Sequence, residues 1–269
     1  MHLSISIVNY NSKNFLRNCL KSIFENTSRI DYEIFVVDNA SSDGSVEMVK
    51  SEFPQVKLIR NKENVGFSKA NNKAFENATG EYFLLLNPDC LVEEDTLYKM
   101  VHFMNKYPKV GVAGCKIVNP NGRIEFSANR FPNLFTELSL KFGKKLAGSN
   151  GYFDRLLKWN YNKSREVDWV SGAFLIIRSK AYREVRGMDE NYFLYFEEID
   201  LCKRVKKRGW KIYYNSNCEI LHAHGRSMAT VAEEKISNIY RVNQLYYYQK
   251  HNPFQHPLLK LYLKLRGLI

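Results

Sequence analysis

Glu81-Tyr82-Phe83-Leu84-Leu85-Leu86-Asn87-Pro88-Asp89-Cys90 is an apolar run that stops abruptly at a carboxylate. Tyr82 to Leu86 show no polar alternation, which fits a central strand buried on both faces of a parallel sheet. Open α/β sheets bind ligands outside the carboxyl ends of their strands, so Asp89 is placed to meet a substrate or its metal. The plainer alternative is a turn Asp capping a helix that begins near Glu93.

Upstream, the same strand, polar loop and helix unit recurs. Leu3 to Val8 is followed by Asn9-Tyr10-Asn11-Ser12 and a helical stripe through Phe15, Leu16, Cys19, Leu20, Ile23 and Phe24. Glu33 to Val37 leads into the turn cluster Asp38 to Gly44, and then into Val46, Val49 and Phe53. Val56 to Ile59 leads through Asn61 to Gly66 into a helix over Phe67 to Ala78, which Gly80 is positioned to close. Such alternation predicts a mainly parallel sheet with right-handed crossovers, so three loops and Asp89 should share one rim.

Downstream, a helix over Leu97 to Met104 ends before Pro108, Val110 to Val118 reads as a strand, and Pro120-Asn121-Gly122 reads as a hairpin turn. Phe126 to Arg165 has weak periodicity and is expected to form a mobile cover over the site. A strand is expected over Asp168 to Ile177 and a short helix from Lys180.

A chain of 269 residues that is 45% hydrophobic can bury one large α/β core. No run approaches the roughly 18 to 20 apolar residues of a membrane span, and Met1-His2-Leu3 moves straight into a strand. A cytoplasmic protein is the expectation. Cys19, Cys90, Cys115, Cys202 and Cys218 are scattered singly, which argues for buried thiols rather than disulfides or a zinc knuckle. The net charge of +12 calls for an anionic partner: nucleic acid, an anionic membrane or a nucleotide diphosphate. Basic residues crowd Lys203 to Lys211 and recur at Lys250, Lys260, Lys264 and Arg266. The latter tail is leucine-rich, which favours a membrane surface over nucleic acid.

Two further stretches carry chemistry-bearing side chains. In Tyr192 to Leu201, an aromatic block is followed by Glu197, Glu198 and Asp200. Acids at a helix start complement its dipole, but neighbouring like charges among aromatics also raise a carboxyl pKa toward that of a general base. Asp200 lies four residues from Arg204 and is expected to pair with it. In the second stretch, His222 and His224 end a strand, where one His together with Asp89 could hold a divalent ion shared with diphosphate oxygens.

The ordered set Ser4 to Asn11, Val37 to Ser45, Asn64-Val65-Gly66-Phe67 through Asn71-Asn72, Leu86 to Asp89, Ser171-Gly172-Ala173, Phe193 to Leu201, and His222 through Gly225 to Ser227 resembles glycosyltransferase family 2. Within that family the likeness is to bacterial rhamnosyltransferases of cell-wall and O-antigen assembly, over about residues 3 to 250. The resemblance implies a GT-A fold with a nucleotide-sugar-binding half (1–118), an acceptor and catalytic half (119–250) and a separate basic tail (251–269). It also implies an inverting transfer from a nucleotide-diphosphate sugar, such as dTDP-rhamnose, to a saccharide or lipid-linked saccharide, with Mg2+ or Mn2+ as cofactor. A uridine diphosphate donor is the runner-up within the class, and a nucleic-acid binder or a base-less sugar-nucleotide binder the alternatives outside it.

By the same resemblance, donor-binding residues are Asn9, Tyr10, Asn11, Asp38, Asn64, Gly66, Phe67, Asn71, Asn87 and Asp89. Trp169, Gly172 and Ala173 face the acceptor, and Asp89 and His222 hold the metal. Asn87 stands where the family's Asp-x-Asp motif has its first acid, leaving one fewer charge for the ion. Glu197-Glu198 stands where the family has Glu-Asp, whose second member is the base, so the resemblance assigns that role to Glu198 with Glu197 beside it. In the tail, Leu258, Leu261, Leu265 and Leu268 recur at helical spacing with Lys260 and Lys264 on another face. That pattern suits either a peripheral membrane contact through 257–269 or a helix docked on its own domain.

Overall fold

The computed structural model describes residues 2–137, 160–223 and 233–269. Strands β1 (His2–Asn9), β2 (Asp31–Asp38), β3 (Lys57–Arg60) and β4 (Tyr82–Leu86) run parallel in the order β3-β2-β1-β4, linked by helices α1 (Lys13–Asn26), α2 (Ser45–Glu52) and α3 (Gly66–Glu76). All five β4 residues are buried. Tyr82, Leu84 and Leu86 enter one core with α1 and the later helix α4 (Thr96–Lys106), whereas Phe83 and Leu85 enter the other with Ala70 and Ala74 of α3. The three expected loops and Asp89 therefore lie at one end of the sheet.

Between β4 and Thr96 the chain inserts an unexpected strand, β5 (Cys90–Val92), so the helix starts three residues later than Glu93. Gly80 does not close α3, which ends at Glu76 with Asn77 as its C-cap. Gly80 instead packs where a Cβ would lie 2.6 Å from the Ser4 amide nitrogen. β6 (Val110–Val118) turns at Gly122, and the hairpin closes through a bridge between Val118 and Ile124. Of the expected cover, residues 138–159 lie outside the described residues. Its flanks are anchored: β7 (Ala128–Asn129) pairs with β9 (Trp169–Val170), β8 (Arg165–Val167) follows, and Tyr161 is buried.

The strand expected over Asp168 to Ile177 is split. Ser171-Gly172-Ala173 breaks β9 from β10 (Phe174–Arg178), which inserts antiparallel between β4 and β6. After α5 (Ser179–Glu184) and α6 (Glu197–Lys207), β11 (Lys211–His222) pairs parallel with β6 and antiparallel with β5 and β8, completing a nine-stranded sheet. All five cysteines are free and buried.

α7 (Glu233–His251) and α8 (His256–Leu265) form a third core with Tyr192, Phe196 and Ile199. Leu259 and Leu263 are buried in it and Leu268 packs against it, so the tail is a docked part of the domain. Leu258, Leu261 and Leu265 nevertheless stay exposed, as does Phe254. Among the described residues no helix is long and apolar enough to cross a membrane.

The charges expected to be free are partly used inside the fold. Lys206 pairs with Asp168 at 2.7 Å and Lys211 with Glu166 at 2.9 Å. Lys250 binds Asp189 at 2.6 Å and Asp200 at 2.8 Å, which removes it from any membrane-facing set. Asp200 is fully buried and also meets Arg204 Nε at 2.6 Å, as expected, and His251 Nε2 at 2.7 Å. Burial opposes its charge, but these partners outweigh that effect and hold its carboxyl at about 2. Asp200→Ala removes the buried anion that Arg204, Lys250 and His251 share, so urea unfolding should show a loss of about 3 kcal/mol. A loss below about 1 kcal/mol would mean that the network adds nothing net.

Candidate active site

The rim expected to take the donor is built by asparagines and serines at strand exits. Asn9, the last residue of β1, is buried and donates from Nδ2 to Asp38 Oδ1 at 2.9 Å and to Ser41 Oγ at 3.0 Å. Asp38, at the same register on β2, takes the Ser41 amide on its other oxygen at 2.9 Å. Asn11 adopts a φ of 50° and binds the 41–42 turn through its amide and its Oδ1, while Tyr10 beside it is half-buried. Asn39, Ser41, Asn61 and Lys73 extend the network, with Asn61 Nδ2 donating to Asn39 Oδ1 at 2.7 Å and Lys73 Nζ to Asn61 Oδ1 at 2.5 Å. Sequence reasoning did not single these four out as site residues, because lone polar residues in turns, or on a helix as Lys73 is, carry no spacing signal.

Asn64 accepts the Gly66 amide at 3.0 Å on Oδ1. Gly66 has a φ of +83°, and a Cβ there would lie 2.6 Å from the Phe193 carbonyl oxygen, so this position requires glycine. The Phe67 amide donates to that same carbonyl at 2.8 Å, tying the donor loop to the loop before the paired acids. Asn71 lies deeper than a ligand-binding residue. It is fully buried, accepting from Ser6 Oγ at 2.7 Å and donating to the Phe67 carbonyl at 3.0 Å, and so holds α3 rather than lining a pocket.

Glu197 and Glu198 open α6 directly after Tyr195 and Phe196, both left-handed with φ near 70°. Bulky residues rarely adopt this conformation, which costs of order 1 to 3 kcal/mol each and persists where the surroundings enforce it. Here Asn243 of α7 donates to the Leu194 carbonyl at 2.7 Å, and Phe196 is buried against Tyr240 and Tyr247. Burial raises the Glu198 carboxyl to about 7, with backbone hydrogen bonds opposing the rise. Burial and the neighbouring Glu198 push Glu197 well above the usual carboxylate range. Oε2 of each acid is buried with no hydrogen-bond partner among the described residues, the arrangement of an acid ready to accept a proton from a ligand.

Asp89 and the acids meet through the 171–173 turn. The Ala173 carbonyl accepts the Asn87 amide at 3.0 Å and the Cys90 thiol at 3.5 Å. A Cβ at Gly172 would lie 3.7 Å from Glu198 Cβ and 3.5 Å from the Phe67 ring. Trp169 is half-buried and donates from its indole to the Arg130 carbonyl at 3.0 Å.

His222 is the last residue of β11, in register with Cys90, and the Ala223 amide donates to the Asp89 carbonyl at 2.8 Å. Its Nε2 lies 3.1 Å from Asp89 Oδ1 and its Nδ1 2.9 Å from Glu125 Oε2. Burial lowers the imidazole, but the hydrogen bonds to Asp89 and Glu125 outweigh it and lift the ring to about 9. Possible ligand atoms of Asp89, Cys90 and His222 all lie within 4.8 Å of one another. Burial, with the Asp89 charge beside it, holds the Cys90 thiol protonated, so Asp89 and His222 are the pair that could hold a divalent ion, the imidazole releasing its Nε2 proton on binding. His224 and Ser227, also drawn from the sequence, lie outside the described residues.

Known proteins share this sequence and fold. The chain is 27% identical over 240 residues to the N-acetylglucosaminyl-diphospho-decaprenol L-rhamnosyltransferase of Mycobacterium tuberculosis, spanning 84% of this chain and 77% of that protein. It is 25% identical over 226 residues to rhamnosyltransferase WbbL of Escherichia coli, spanning 81% and 82%. The mannosyltransferase PcManGT from Pyrobaculum calidifontis, solved with GDP-Man and Mn2+, superposes with a TM-score of 0.65 at 18% identity over 96% of this chain and 68% of that one. TarS of S. aureus superposes with a TM-score of 0.60 at 18% identity over 92% and 40%. The α/β architecture with its mainly parallel sheet is thus the GT-A fold. Residues 4–183 match the model of glycosyl transferase family 2, and the chain, a glycosyltransferase, belongs to that family.

Proposed function

We propose that the protein is an inverting, cation-dependent transferase that moves rhamnose from a nucleoside diphosphate, dTDP by preference, onto a hydroxyl of a lipid-linked saccharide in bacterial surface-polysaccharide synthesis. The observation that carries this reading is the buried, unpartnered Oε2 of Glu198 beside the 171–173 turn, whose Ala173 carbonyl binds the Asn87 amide next to Asp89. The names of the mycobacterial and E. coli relatives support the sugar, and the mycobacterial name supports the lipid-linked acceptor.

In this mechanism Asn9, Asp38 and the 64–67 loop orient the nucleotide, while Asp89 and His222 hold the cation. When bound, the cation stabilises the negative charge on the leaving diphosphate. Glu198 removes the proton from the acceptor hydroxyl as that oxygen attacks the anomeric carbon on the face opposite the diphosphate. One displacement inverts the centre without a covalent enzyme intermediate. The half-protonated state of Glu198 near neutrality is suited to that task, and the second acid, Glu197, keeps the pair from ionising together.

The exposed leucines of α8 support a peripheral membrane contact that brings the site to its acceptor. Phe254, Leu258, Leu261 and Leu265 follow helical spacing and are exposed, as are Lys260, Lys264 and Arg266. Each basic residue near an anionic surface adds about 1 kcal/mol, enough for reversible attachment.

Nucleoside diphosphate release from dTDP and UDP sugars, followed with and without a divalent ion, tests the donor and the cation together. Full activity after chelation would remove the cation from the mechanism. Glu198→Gln should lower kcat by roughly 100-fold or more with donor binding retained. A near-normal Glu198→Gln alongside an inactive Glu197→Gln would move the base to Glu197.

The same variant has a stability signature. Glu198 titrates near 4.5 when unfolded and about 7 when folded, so between these values the folded chain keeps a proton that the unfolded chain has released. Stability contributed by that proton is present below about pH 4.5 and is lost as pH rises through 7. Glu198→Gln should therefore melt higher than the wild type at about pH 8, with the gap closing by about pH 5. Equal melting at both pH values would contradict a buried, proton-accepting Glu198.

For the membrane contact, replacing Leu258, Leu261 and Leu265 with Gln leaves the buried Leu259 and Leu263 in place. Sedimentation with phosphatidylglycerol vesicles should fall while turnover on a soluble acceptor is kept. Unchanged sedimentation would exclude this face of α8.

A further inference from the structure

Glu125 has no assigned part in binding or catalysis, yet it touches the ring that Asp89 shares. Val118 pairs with Ile124, and the Glu125 amide donates to the Ile117 carbonyl at 2.9 Å, so the returning arm of the 118–124 hairpin lies against β6. The turn is closed by the Asn119 amide on the Arg123 carbonyl at 2.9 Å and by Asn119 Oδ1, which accepts the Arg123 amide at 3.0 Å. This holds Glu125 Oε2 2.9 Å from His222 Nδ1, while Asp89 Oδ1 stands 3.1 Å from Nε2. The imidazole is thus held from both ends by carboxylates on different elements, with only 13% of the His222 side chain and 19% of that of Glu125 exposed.

We propose that Glu125 is a positioning residue for the cation site, accepting the Nδ1–H of His222 so that Nε2 is presented to an ion bound at Asp89. A His ring can turn to exchange its two nitrogens, and a carboxylate behind Nδ1 fixes both the tautomer and the orientation of the ring. Glu125 acts through His222 rather than as a ligand. The atoms close enough to share one ion belong to Asp89, Cys90 and His222, and Glu125 meets the ring nitrogen that faces away from Asp89. The inference rests on the cation-dependent reading above, and it adds a residue about 100 positions from its partner in sequence.

The test is Mn2+ binding to the full chain in the presence of dTDP, with free Mn2+ read by electron paramagnetic resonance and the bound ion examined for coupling to an imidazole nitrogen-14. Glu125→Ala should weaken Mn2+ binding by about 10- to 100-fold and diminish the nitrogen coupling. Glu125→Gln keeps an oxygen able to accept from Nδ1–H and should stay within about threefold of the wild type. Wild-type affinity and coupling in Glu125→Ala, or equal losses in both variants, would overturn the positioning role while leaving the cation reading intact. Mn2+ bound by the wild type without nitrogen coupling would remove His222 from the site and Glu125 with it. Absence of Mn2+ binding by the wild type would overturn the cation reading itself.

Discussion

The site depends on one strand running against its neighbours. β10 enters antiparallel between β4 and β6, so its beginning, not its end, arrives at the rim where β1, β2 and β4 finish. Phe174 stands opposite Leu86, and the carbonyl of Ala173 is free to take the Asn87 amide and the Cys90 thiol. A parallel β10 would deliver Ser171-Gly172-Ala173 to the far end of the sheet. The reversal therefore brings the Gly172 backbone beside Glu198 and the Phe67 ring, and the Ala173 carbonyl to the 87–90 turn.

Charge is handled differently on the two sides of that junction. Asp200, two residues past Glu198, is also buried but meets Arg204, Lys250 and His251, and its carboxyl is held down to about 2. Glu198 shares the same helix start and meets no cation among the described residues, so burial raises it to about 7. One turn of α6 thus makes a permanent anion of one acid and a proton acceptor of another. The dipole of the helix start acts on both, so the difference comes from the partners of Asp200: Arg204 one turn along α6, and Lys250 and His251 from α7.

The parts of this arrangement legible in the sequence are those with a strong local signature. Tyr82 to Leu86 are apolar without alternation and end at Asn87-Pro88-Asp89, which is enough to locate a buried strand and its terminal acid. Glu197 and Glu198 stand out as adjacent acids behind aromatics. The direction of β10 was hidden, because an apolar strand reads the same in either direction. β5 was hidden as well, since three residues carry no measurable period and its pairing with β11 is set 130 residues away. Asn71 fits a loop motif in order but points into the core, and Glu125 is a lone acid whose partner is fixed only by strand register. In α8 the leucines occupy two faces, so periodicity alone did not separate the buried pair Leu259 and Leu263 from the exposed stripe.

The match to the family model ends at residue 183, before the paired acids, His222 and the third core. The strand-exit loops, Asp89 and the 171–173 turn lie within the matched segment, and the chain beyond it supplies the paired acids and His222. That part of the chain also sustains the strained start of α6. Asn243 binds the carbonyls of Leu194 and Tyr195, and Tyr247 packs on Phe196, so α7 enforces the two left-handed residues that aim Glu197 and Glu198. α8 in turn packs Leu259 and Leu263 into the same cluster. A helix that presents leucine and lysine to the outside thereby shares its buried face with the aromatic residues next to the paired acids. Contact at that outer face and geometry at the acids are connected through a single packed core rather than through a flexible linker.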